Sequence, residues 1–423
     1  MLTNWAGNYT YRATHFREAT TIAAAQEIVA AARNVRVLGS RHSFNSIADS
    51  DGTLISLSGL SRVLNIDPGM SSVTVEGGIR YGDLAPVLHQ NGLALSNLAS
   101  LPHISVAGAV ATATHGSGSR TGNLATSVTA IDIIDAKGDI VTYARDVDPD
   151  LFSGAVVNLG ALGPVVRMTL KVEPTYEVRQ YVYSGLTNEM LITAFDEIFE
   201  LGKSVSIFTD WCGGMTNAVW VKEVVAAGSG SKPPDAEIFG AKAAMRNTHP
   251  LPDGRAADST PQLGVPGPWY ERLPHFRMGY TPSNGAEIQA EYFMPREVAA
   301  KAIKAMSKHG ERFAGVLMIS EVRTIAGDDL WLSPGSRGPY FAIHFTFRRH
   351  WSAVCKILLA IEADLSPLGA VPHWGKVTTM SPAQVAMQYS RMADFRDLVV
   401  GQDAKGKFRN DFISQFVFAV GET

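Results

Sequence analysis

The amino-acid sequence predicts an α+β fold made of two domains, and three observations support this. The chain has 423 residues, of which 46% are hydrophobic, so it is long enough to bury more than one core. Short β-branched runs alternate with helical patterns as far as Pro174, which ends the last strand of this part. Long strand patterns and amphipathic helices follow, and they indicate a second α+β unit with a mixed or antiparallel sheet.

Charge and composition favour a small neutral partner. Lys plus Arg (37) and Asp plus Glu (40) nearly cancel to a formal charge of −3, so neither nucleic acid nor an anionic membrane is strongly attracted. Apolar runs fall short of the roughly 18 residues of a membrane helix, and the first residues lack a signal-peptide pattern. We therefore expect a cytoplasmic monomer. Cys212 and Cys355 match neither a disulfide framework nor a metal site, and both are expected to be buried free thiols.

In the first unit, each element follows from residue periodicity and from the residues that interrupt it. Apolar residues recur at helical spacing from Ile22 to Ala32, with Thr20 or Thr21 as the N-cap. Asn91-Gly92 suits a left-handed helix end, and Lys137-Gly138 suits a hairpin turn. The patterns predict strands at 35–38, 53–58, 63–67 and 72–76, a helix over 81–92, a hairpin over 128–144, a helix from 148 and a strand over 164–174.

The second unit contains a long segment of unusual composition. Residues 226–268 are rich in Gly, Pro and Ala, which favours a variable surface excursion and leaves a functional loop as the alternative. The later patterns predict a helix over 296–310, strands over 315–326 and 340–350, and a helix from Trp351.

Two loops of small residues point to a phosphate-containing ligand. The strand at 35–38 ends in Gly39 and Ser40, whose backbone N–H groups are little obstructed and suit phosphate oxygens; an ordinary tight turn is the alternative. A run of small apolar residues at 106–114 leads to a second Gly/Ser loop. Together the loops indicate a dinucleotide held lengthwise. The chain has neither G-x-G-x-x-G nor G-x-x-x-x-G-K-[ST], which argues against Rossmann and P-loop proteins.

Four stretches together resemble the vanillyl-alcohol-oxidase type of FAD-dependent oxidoreductases, and within it the bacterial alditol (xylitol) oxidases. They are VLGSRHSFN at 37–45, SLPHISVAGAVATATHGSG at 100–118, LGALGPVVRMTL at 159–170 and HWGK at 373–376. The resemblance covers nearly the whole chain. It implies the two-domain fold of that family, vanillyl-alcohol-oxidase/PCMH-type, with an FAD-binding domain at 1–173, a substrate-binding cap at 174–378 and a C-terminal segment at 379–423 that returns to the first domain.

The resemblance also implies which residues contact FAD. His42 would be joined covalently to the flavin ring, and the family commonly has glycine where this chain has Arg41. For Gly108 and Val165 taken singly, ordinary turn or core packing is the simpler interpretation. His103 and His115, as single residues, are more typical of structural histidines. The implied cofactor-binding residues are Gly39, Ser40, Arg41, His42, Ser43, Phe44, Ser100, Ser105, Gly108, Thr112, Ala113, Thr114, His115, Val165, Thr346 and His373.

Polar side chains on two strands mark the expected catalytic site. The strand period of two places Glu321 and Arg323 on one face, where buried charges are costly unless they are paired or face a wet cavity. A structural ion pair is the alternative. The resemblance implies that Arg323, Lys376 and Glu321 are catalytic. It implies the following substrate-binding residues: Ser100, Glu321, Arg323, Thr346 and His344.

A cation beside the reacting hydroxyl suits alcohol oxidation, because a proton must leave oxygen as a hydride leaves carbon. We expect Arg323 to lower the pKa of Lys376 so that the lysine accepts the proton, while Arg323 stabilises the alkoxide. The resemblance implies that FAD accepts the hydride and that dioxygen is reduced to hydrogen peroxide.

The expected reaction is oxidation of the terminal hydroxyl of linear polyols, such as xylitol and sorbitol, to the aldose. The segment at 273–297 favours this by likeness to alditol oxidases. An aldonolactone or sugar oxidase, or a dehydrogenase of the same family, is the first alternative. A flavin-free carbohydrate-binding or storage protein on the same fold is the second.

Overall fold

The computed structural model describes residues 2–226, 228–251, 253–279 and 286–418. It mixes helices with largely antiparallel sheets, so the α+β class expected from the sequence is confirmed. The strands are β1 (His15–Glu18), β2 (Val35–Leu38), β3 (Thr53–Ser56), β4 (Val63–Asp67), β5 (Ser72–Glu76), β6 (Leu93–Ala94), β7 (Val128–Ile134), β8 (Ile140–Ala144), β9 (Val165–Lys171), β10 (Glu173–Pro174), β11 (Glu177–Ser184), β12 (Ser204–Thr209), β13 (Ala218–Val225), β14 (Glu237–Ile238), β15 (Ala241–Ala243), β16 (Gly267–Pro268), β17 (Glu287–Pro295), β18 (Leu317–Ile325), β19 (Tyr340–Arg348) and β20 (Val371–Pro372).

The helices are short, and most join or cover the sheets. The α-helices are α1 (Ile22–Ala31), α2 (Tyr81–Gln90), α3 (Val106–Val110), α4 (Pro149–Val156), α5 (Asn188–Thr193), α6 (Phe195–Phe199), α7 (Ala299–Ser307), α8 (Gly310–Phe313), α9 (Trp351–Leu365), α10 (Pro382–Ala386), α11 (Met392–Gln402) and α12 (Asp411–Ile413). In the described part of the chain, every helix is too short or too polar to cross a bilayer.

The first part of the chain forms three sheets, and the smallest of them pairs β6 with β10. Strands β1, β3 and β2 pair in parallel in that order, and β4-β5-β9-β7-β8 form a five-stranded antiparallel sheet. The Thr21 hydroxyl accepts a hydrogen bond from the Ala24 N–H at 3.1 Å, which is the N-cap expected for α1. Gly92 follows α2 with φ +73°, as the left-handed helix end requires.

The second part is dominated by a ten-stranded sheet among the described residues. Its order is β14-β15-β11-β13-β12-β18-β19-β17-β20, with β16 also paired to β11. Neighbouring strands run antiparallel, and β17, β18 and β19 have nine residues each. These three long, adjacent strands carry one face of the cavity described below.

The segment at 226–268 is not simply a surface excursion, so that expectation is wrong. Its described residues supply β14, β15 and β16, which extend the large sheet by pairing with one another or with β11. Pro250 and Leu251 line the cavity. The composition of this segment does not indicate these strands, because strands of two or three residues need few β-forming residues when a neighbouring strand supplies the hydrogen bonds.

The expected buried state of the cysteines is also wrong. Both are free thiols, but Cys212 is exposed and Cys355 is half-buried. Cys355 lies on α9, where one side of the helix faces outward, and Cys212 lies in a turn after β12.

The C-terminal residues contact the beginning of the chain. The Val35 N–H donates to the Lys407 carbonyl, and the Asn410 side chain donates to the carbonyls of Ser46, Ile47 and Asp49. The domain boundaries at 173 and 378 stay a prediction, because these contacts describe packing rather than independent units.

Arg36 on β2 joins several of these segments. Its buried guanidinium donates to the carbonyls of Gly160, Phe408, Leu159 and Ile47, with nitrogen–oxygen distances of 2.7, 2.8 and 2.7 Å for the first three. A carbonyl that is buried without a donor is costly, so one side chain satisfies groups from three stretches of the chain.

We predict that Arg36→Met lowers the free energy of unfolding by about 3 kcal/mol or more, because four buried carbonyls lose their charged donor. Urea denaturation followed by circular dichroism measures this. The exposed neighbour Arg33 supplies the control, since Arg33→Met should change stability by less than about 0.5 kcal/mol. Equal effects of the two substitutions would show that the Arg36 contacts do not hold these segments together.

Candidate active site

A long cavity runs from the loop after β2 to the face of β17, β18 and β19. At one end it is lined by residues 39–44 and by small residues of a second loop, namely Ser105, Ala107, Gly108, Ala109, Ala111, Thr112 and Thr114. At the other end it is lined by charged and polar side chains of the large sheet, including Glu291, Glu321 and Arg323. The two ends therefore differ in chemistry.

The loop after β2 approaches its neighbours closely. A Cβ atom at Gly39 would lie 2.8 Å from the Ser105 Oγ, and one at Gly108 would lie 2.7 Å from the same atom. Both distances are shorter than real Cβ contacts, so a side chain at either position would force the Ser105 hydroxyl to move. The Ser105 N–H in turn donates to the Ser40 Oγ at 3.2 Å, which fixes the two loops against each other.

Backbone donors are free along this loop. The N–H groups of residues 40–43 have no acceptor among the described residues. Arg41 has φ +63°, a left-handed conformation that favours glycine and costs other residues about 1 kcal/mol or more. Successive N–H groups in such a turn form a concave site for anions.

His42 is held between aromatic rings. Its ring stacks on Trp5, with centroids 5.1 Å apart, and its Nε2 lies 3.0 Å from the His103 Nε2. Its Nδ1 lies 3.1 Å from the Ser40 Oγ. Burial and the neighbouring His103 lower the pKa of His42 to about 3. The ring is therefore neutral at physiological pH and keeps a nitrogen lone pair.

At the other end, strand register brings three ionisable residues into one row. Glu321 on β18 lies opposite His344 on β19, and His344 lies opposite Glu291 on β17. Because residues that are paired across a sheet point to the same face, all three side chains face the cavity. Arg323 lies two residues beyond Glu321 and shares this face.

Glu291 is the centre of this charged cluster. Its Oε1 lies 2.5 Å from an Arg323 guanidinium nitrogen and 3.2 Å from the His115 Nε2, and its Oε2 lies 2.7 Å from the Lys376 Nζ. The carboxylate and both cations are almost fully buried. Burial raises the pKa of Glu291, but Lys376 and Arg323 outweigh that effect and hold it well below its usual range.

Lys376 also contacts the middle of the row. Its Nζ lies 2.6 Å from the His344 Nδ1, and the His344 Nε2 lies 3.0 Å from the Thr346 Oγ1. Burial, with help from Lys376, lowers the pKa of His344 to about 4, so the imidazole is neutral. Burial is also the main reason why the pKa of Lys376 is lowered; Glu291 opposes the shift and Arg323 assists it. The pKa of Lys376 is thus lowered, as expected, but Arg323 contributes less to this shift than burial does.

Two family models match the chain. The model described as FAD binding domain matches residues 13–144, which include the loops at the first end of the cavity. The model described as D-arabinono-1,4-lactone oxidase matches residues 284–416, which include β17, β18, β19 and Lys376.

Whole-length relatives agree with these matches. Alditol oxidase of a Streptomyces species is 43% identical over 97% of this chain and 98% of its own length. L-gulonolactone oxidase of Mus musculus is 27% identical, and the match covers 98% of both chains. The chain belongs to the vanillyl-alcohol-oxidase type of FAD-dependent oxidoreductases. The expectation from the four sequence stretches is thereby confirmed.

FAD is the cofactor of this flavoprotein, and the first end of the cavity fits it. The free N–H groups of residues 40–43 suit a pyrophosphate, which needs donors without bulky side chains nearby. Gly39 and Gly108 line the cavity without side chains, which leaves the backbone there open to a ligand. FAD supplies a hydride acceptor when it is bound.

The structure brings nearly all of the sequence-predicted site residues to this cavity. Ala113 is the exception, because it is fully buried with φ +52° and shapes the loop from within. The predicted residues that line the cavity are Gly39, Ser40, Arg41, His42, Ser43, Phe44, Ser100, Ser105, Gly108, Thr112, Thr114, His115, Val165, Glu321, Arg323, His344, Thr346, His373 and Lys376. Their individual roles stay predictions.

Sequence reasoning missed several cavity residues, of which Glu291 is the most important. A signal was present, since Glu287, Gln289 and Glu291 alternate with apolar residues at the strand period of two. Trp5, Arg80 and His275 also line the cavity, but they come from segments without any period. Residues 280–285, part of the stretch that favoured an alditol oxidase, lie outside the described residues.

We predict that Glu291→Gln lowers the free energy of unfolding by about 3 kcal/mol, because two buried cations lose their shared counter-charge. The pKa of Glu291 is lowered in the folded state, so its stabilisation is present above the ordinary value of 4.5 and is lost as the pH falls through the lowered value. The difference between the wild type and the variant should therefore shrink in acid. Urea denaturation across a pH series measures this.

The control for this substitution is an exposed ion pair. Asp196 pairs with Arg296 at the surface, with the Asp196 side chain 71% exposed. Asp196→Asn should cost less than about 1 kcal/mol. A Glu291→Gln variant no less stable than the control would contradict the central place given to this carboxylate.

Proposed function

We propose that this flavoprotein oxidises the terminal hydroxyl of linear polyols to the aldose and reduces dioxygen to hydrogen peroxide. The observation that carries the proposal is the polar end of the cavity, where carboxylates, Arg323 and a neutral imidazole on one sheet face meet Lys376 from the loop after β20. The full-length similarity to an alditol oxidase supports the substrate class.

Charged side chains of both signs line this end of the cavity. Arg323 and Lys376 lie beside Glu291 and Glu321, Glu287 lines the same cavity, and the neighbouring His344 is neutral. A neutral substrate with several hydroxyl groups fits such a surface, because a hydroxyl can donate to a carboxylate and accept from a cation.

Arg323 and Lys376 act on the reacting hydroxyl in this proposal. Arg323 keeps a fixed positive charge, and its guanidinium lies in the cavity lining between Glu291 and Glu321, where it can act on a substrate oxygen. Lys376 in its neutral form accepts the hydroxyl proton, which its lowered pKa favours. Arg323 stabilises the developing alkoxide.

The remaining polar residues orient the substrate. Glu321 accepts hydrogen bonds from hydroxyls next to the reacting carbon. Thr346, tied to His344 at 3.0 Å, and Ser100 face the same cavity from opposite elements and position the chain of the polyol. FAD, held along the loops of residues 39–44 and 105–114, would supply the hydride acceptor, and dioxygen would be the final acceptor of the two electrons, giving hydrogen peroxide.

We further propose that FAD is linked covalently through His42. The support is the neutral ring of His42, which retains a nucleophilic nitrogen and is fixed by Trp5 and His103. Xylitol and sorbitol are the preferred polyols in this proposal, and the protein works as a cytoplasmic monomer. Substrate preference, location and oligomeric state are predictions from sequence.

We predict that the yellow colour of the purified protein stays in the pellet after acid precipitation. His42→Ala should release all of its FAD into the supernatant, because the ring nitrogen that forms the link is gone. Absorbance of pellet and supernatant near the flavin maximum measures this. Arg41→Gly is the matched control, since it changes the adjacent residue but leaves His42, and its flavin should stay in the pellet. Extractable FAD in the wild type would contradict the linkage.

We predict oxygen uptake and peroxide formation with xylitol and sorbitol, measured in an oxygen electrode and with peroxidase. The rate should rise with pH towards the pKa of Lys376, which lies below its ordinary value of 10.5, because only the neutral amine accepts a proton. Lys376→Met should lower kcat by about a hundredfold or more.

An aldonolactone, assayed in parallel, tests the alternative that the D-arabinono-1,4-lactone oxidase match raises. Turnover of the lactone alone would move the substrate class to sugar lactones and leave FAD unaffected. Turnover only with an artificial electron acceptor would show a dehydrogenase. The Lys304→Met variant on α7 is the control for loss of a lysine, because Lys304 is exposed and far from the cavity lining.

A further inference from the structure

A buried lysine lies directly behind the proposed substrate site. Lys222 on β13 is 1% exposed, and its Nζ donates to the carbonyls of Leu273 and Pro274 at 2.5 and 3.2 Å. Its third acceptor is the Nδ1 of His275, at 3.2 Å. The ammonium group thus has a partner for each of its three N–H bonds.

His275 connects Lys222 to Glu321 through one hydrogen bond on each side of its ring. Because Lys222 donates to Nδ1, the proton of the neutral ring must lie on Nε2, which is 2.8 Å from the Glu321 Oε1. The rings of Phe208 and Trp220 meet the His275 ring edge-on with centroids 5.4 Å away, which fixes its plane. The three groups therefore form a directed chain of hydrogen bonds from ammonium to carboxylate.

We propose that Lys222 and His275 are a positioning pair, which keeps the Glu321 carboxylate ionised and turned so that Oε2 receives a substrate hydroxyl. Oε2 has no hydrogen-bond partner among the described residues, whereas Oε1 is taken by His275. The inference rests on the proposed function, since it assigns a reason for the orientation of Glu321 in the proposed substrate site.

The charge pattern supports this pairing. Burial lowers the pKa of His275 to about 4, so the ring is neutral and carries a single proton. Burial lowers the pKa of Lys222 to about 7, and the negative charge of Glu321 opposes that shift. An isolated buried lysine would be costly, and the paired carboxylate offsets part of that cost.

The pair also brings a third segment to the site. Lys222 and Glu321 lie on strands of the large sheet, whereas His275 lies between β16 and β17 in a stretch outside the strands. The neighbouring Phe276, Pro250 and Leu251 line the same cavity. His275 thus orients the Glu321 carboxylate and also holds its own segment, which lines the cavity, in place.

We expect His275→Leu to raise KM for xylitol by about tenfold to a hundredfold and to change kcat less than about threefold. The Glu321 carboxylate would lose the hydrogen bond that the neutral His275 ring donates to it, and its changed orientation would weaken the binding of substrate and transition state alike. His275→Gln should recover most of the affinity, because its side-chain amide can donate from nearly the position of Nε2. Steady-state oxygen uptake with each variant measures this.

His309→Leu is the matched control. His309 is a buried histidine whose Nε2 lies 2.6 Å from the Asp364 carboxylate, away from the cavity lining. Its loss should lower stability without changing KM. A KM for His275→Leu equal to that of the wild type, or one shared with His309→Leu, would overturn the proposal.

A crystal structure of His275→Leu gives a readout that needs no turnover. The Glu321 carboxylate should leave its position beside residue 275 and rotate; an unchanged carboxylate would overturn the proposal. Lys222→Met should produce the same rotation, and if that variant does not fold, the His275 variants still decide. A wild-type enzyme that oxidises no polyol would instead count against the proposed function, while the position of Glu321 still tests the pair.

Discussion

The ion pairs between Glu291 and its two cations are the interaction on which the rest of the site depends. Arg323 and Lys376 lie on different parts of the chain, and both are almost fully buried. Without a carboxylate between them, the two cations would repel each other across a region of low dielectric. With it, they can lie side by side and present donors to one small volume. The site thereby gains strong local polarity at a moderate electrostatic cost.

The geometry of these pairs depends on the register of the large sheet. A shift of one residue would turn the charged row to the opposite face and expose apolar residues to the cavity. Tyr292, the residue after Glu291 on β17, lies on the opposite face of the sheet. Its hydroxyl donates to the Glu362 carboxylate on α9 at 2.6 Å. Alternate residues of β17 thus serve the site and the packing of the sheet against a helix. This division explains why the long central strands tolerate so many charged residues.

The sequence predicts the local parts of this arrangement better than the distant ones. The turn at Gly39 and Ser40, the cap at Thr21 and the shared face of Glu321 and Arg323 each follow from residues close together in the chain. The role of Glu291 does not, because it depends on which strand pairs with which, and its partners lie 32 and 85 residues away. His275 comes from a stretch without periodicity, so only its contacts in the fold give it a function. The short strands within 226–268 likewise depend on pairing with the distant strand β11, which the local sequence does not show.

Arg41 shows how a residue with an unfavourable backbone conformation is kept in place. Its φ of +63° would suit glycine, and the cost to arginine is about 1 kcal/mol or more. Its carbonyl accepts from the Trp5 N–H at 2.8 Å, and its guanidinium donates to the Thr3 carbonyl at 3.2 Å. Trp5 in turn stacks on His42. The N-terminal residues therefore offset the strain at Arg41 and fix the histidine beside it, so the arginine is compatible with the turn that a glycine would form more easily.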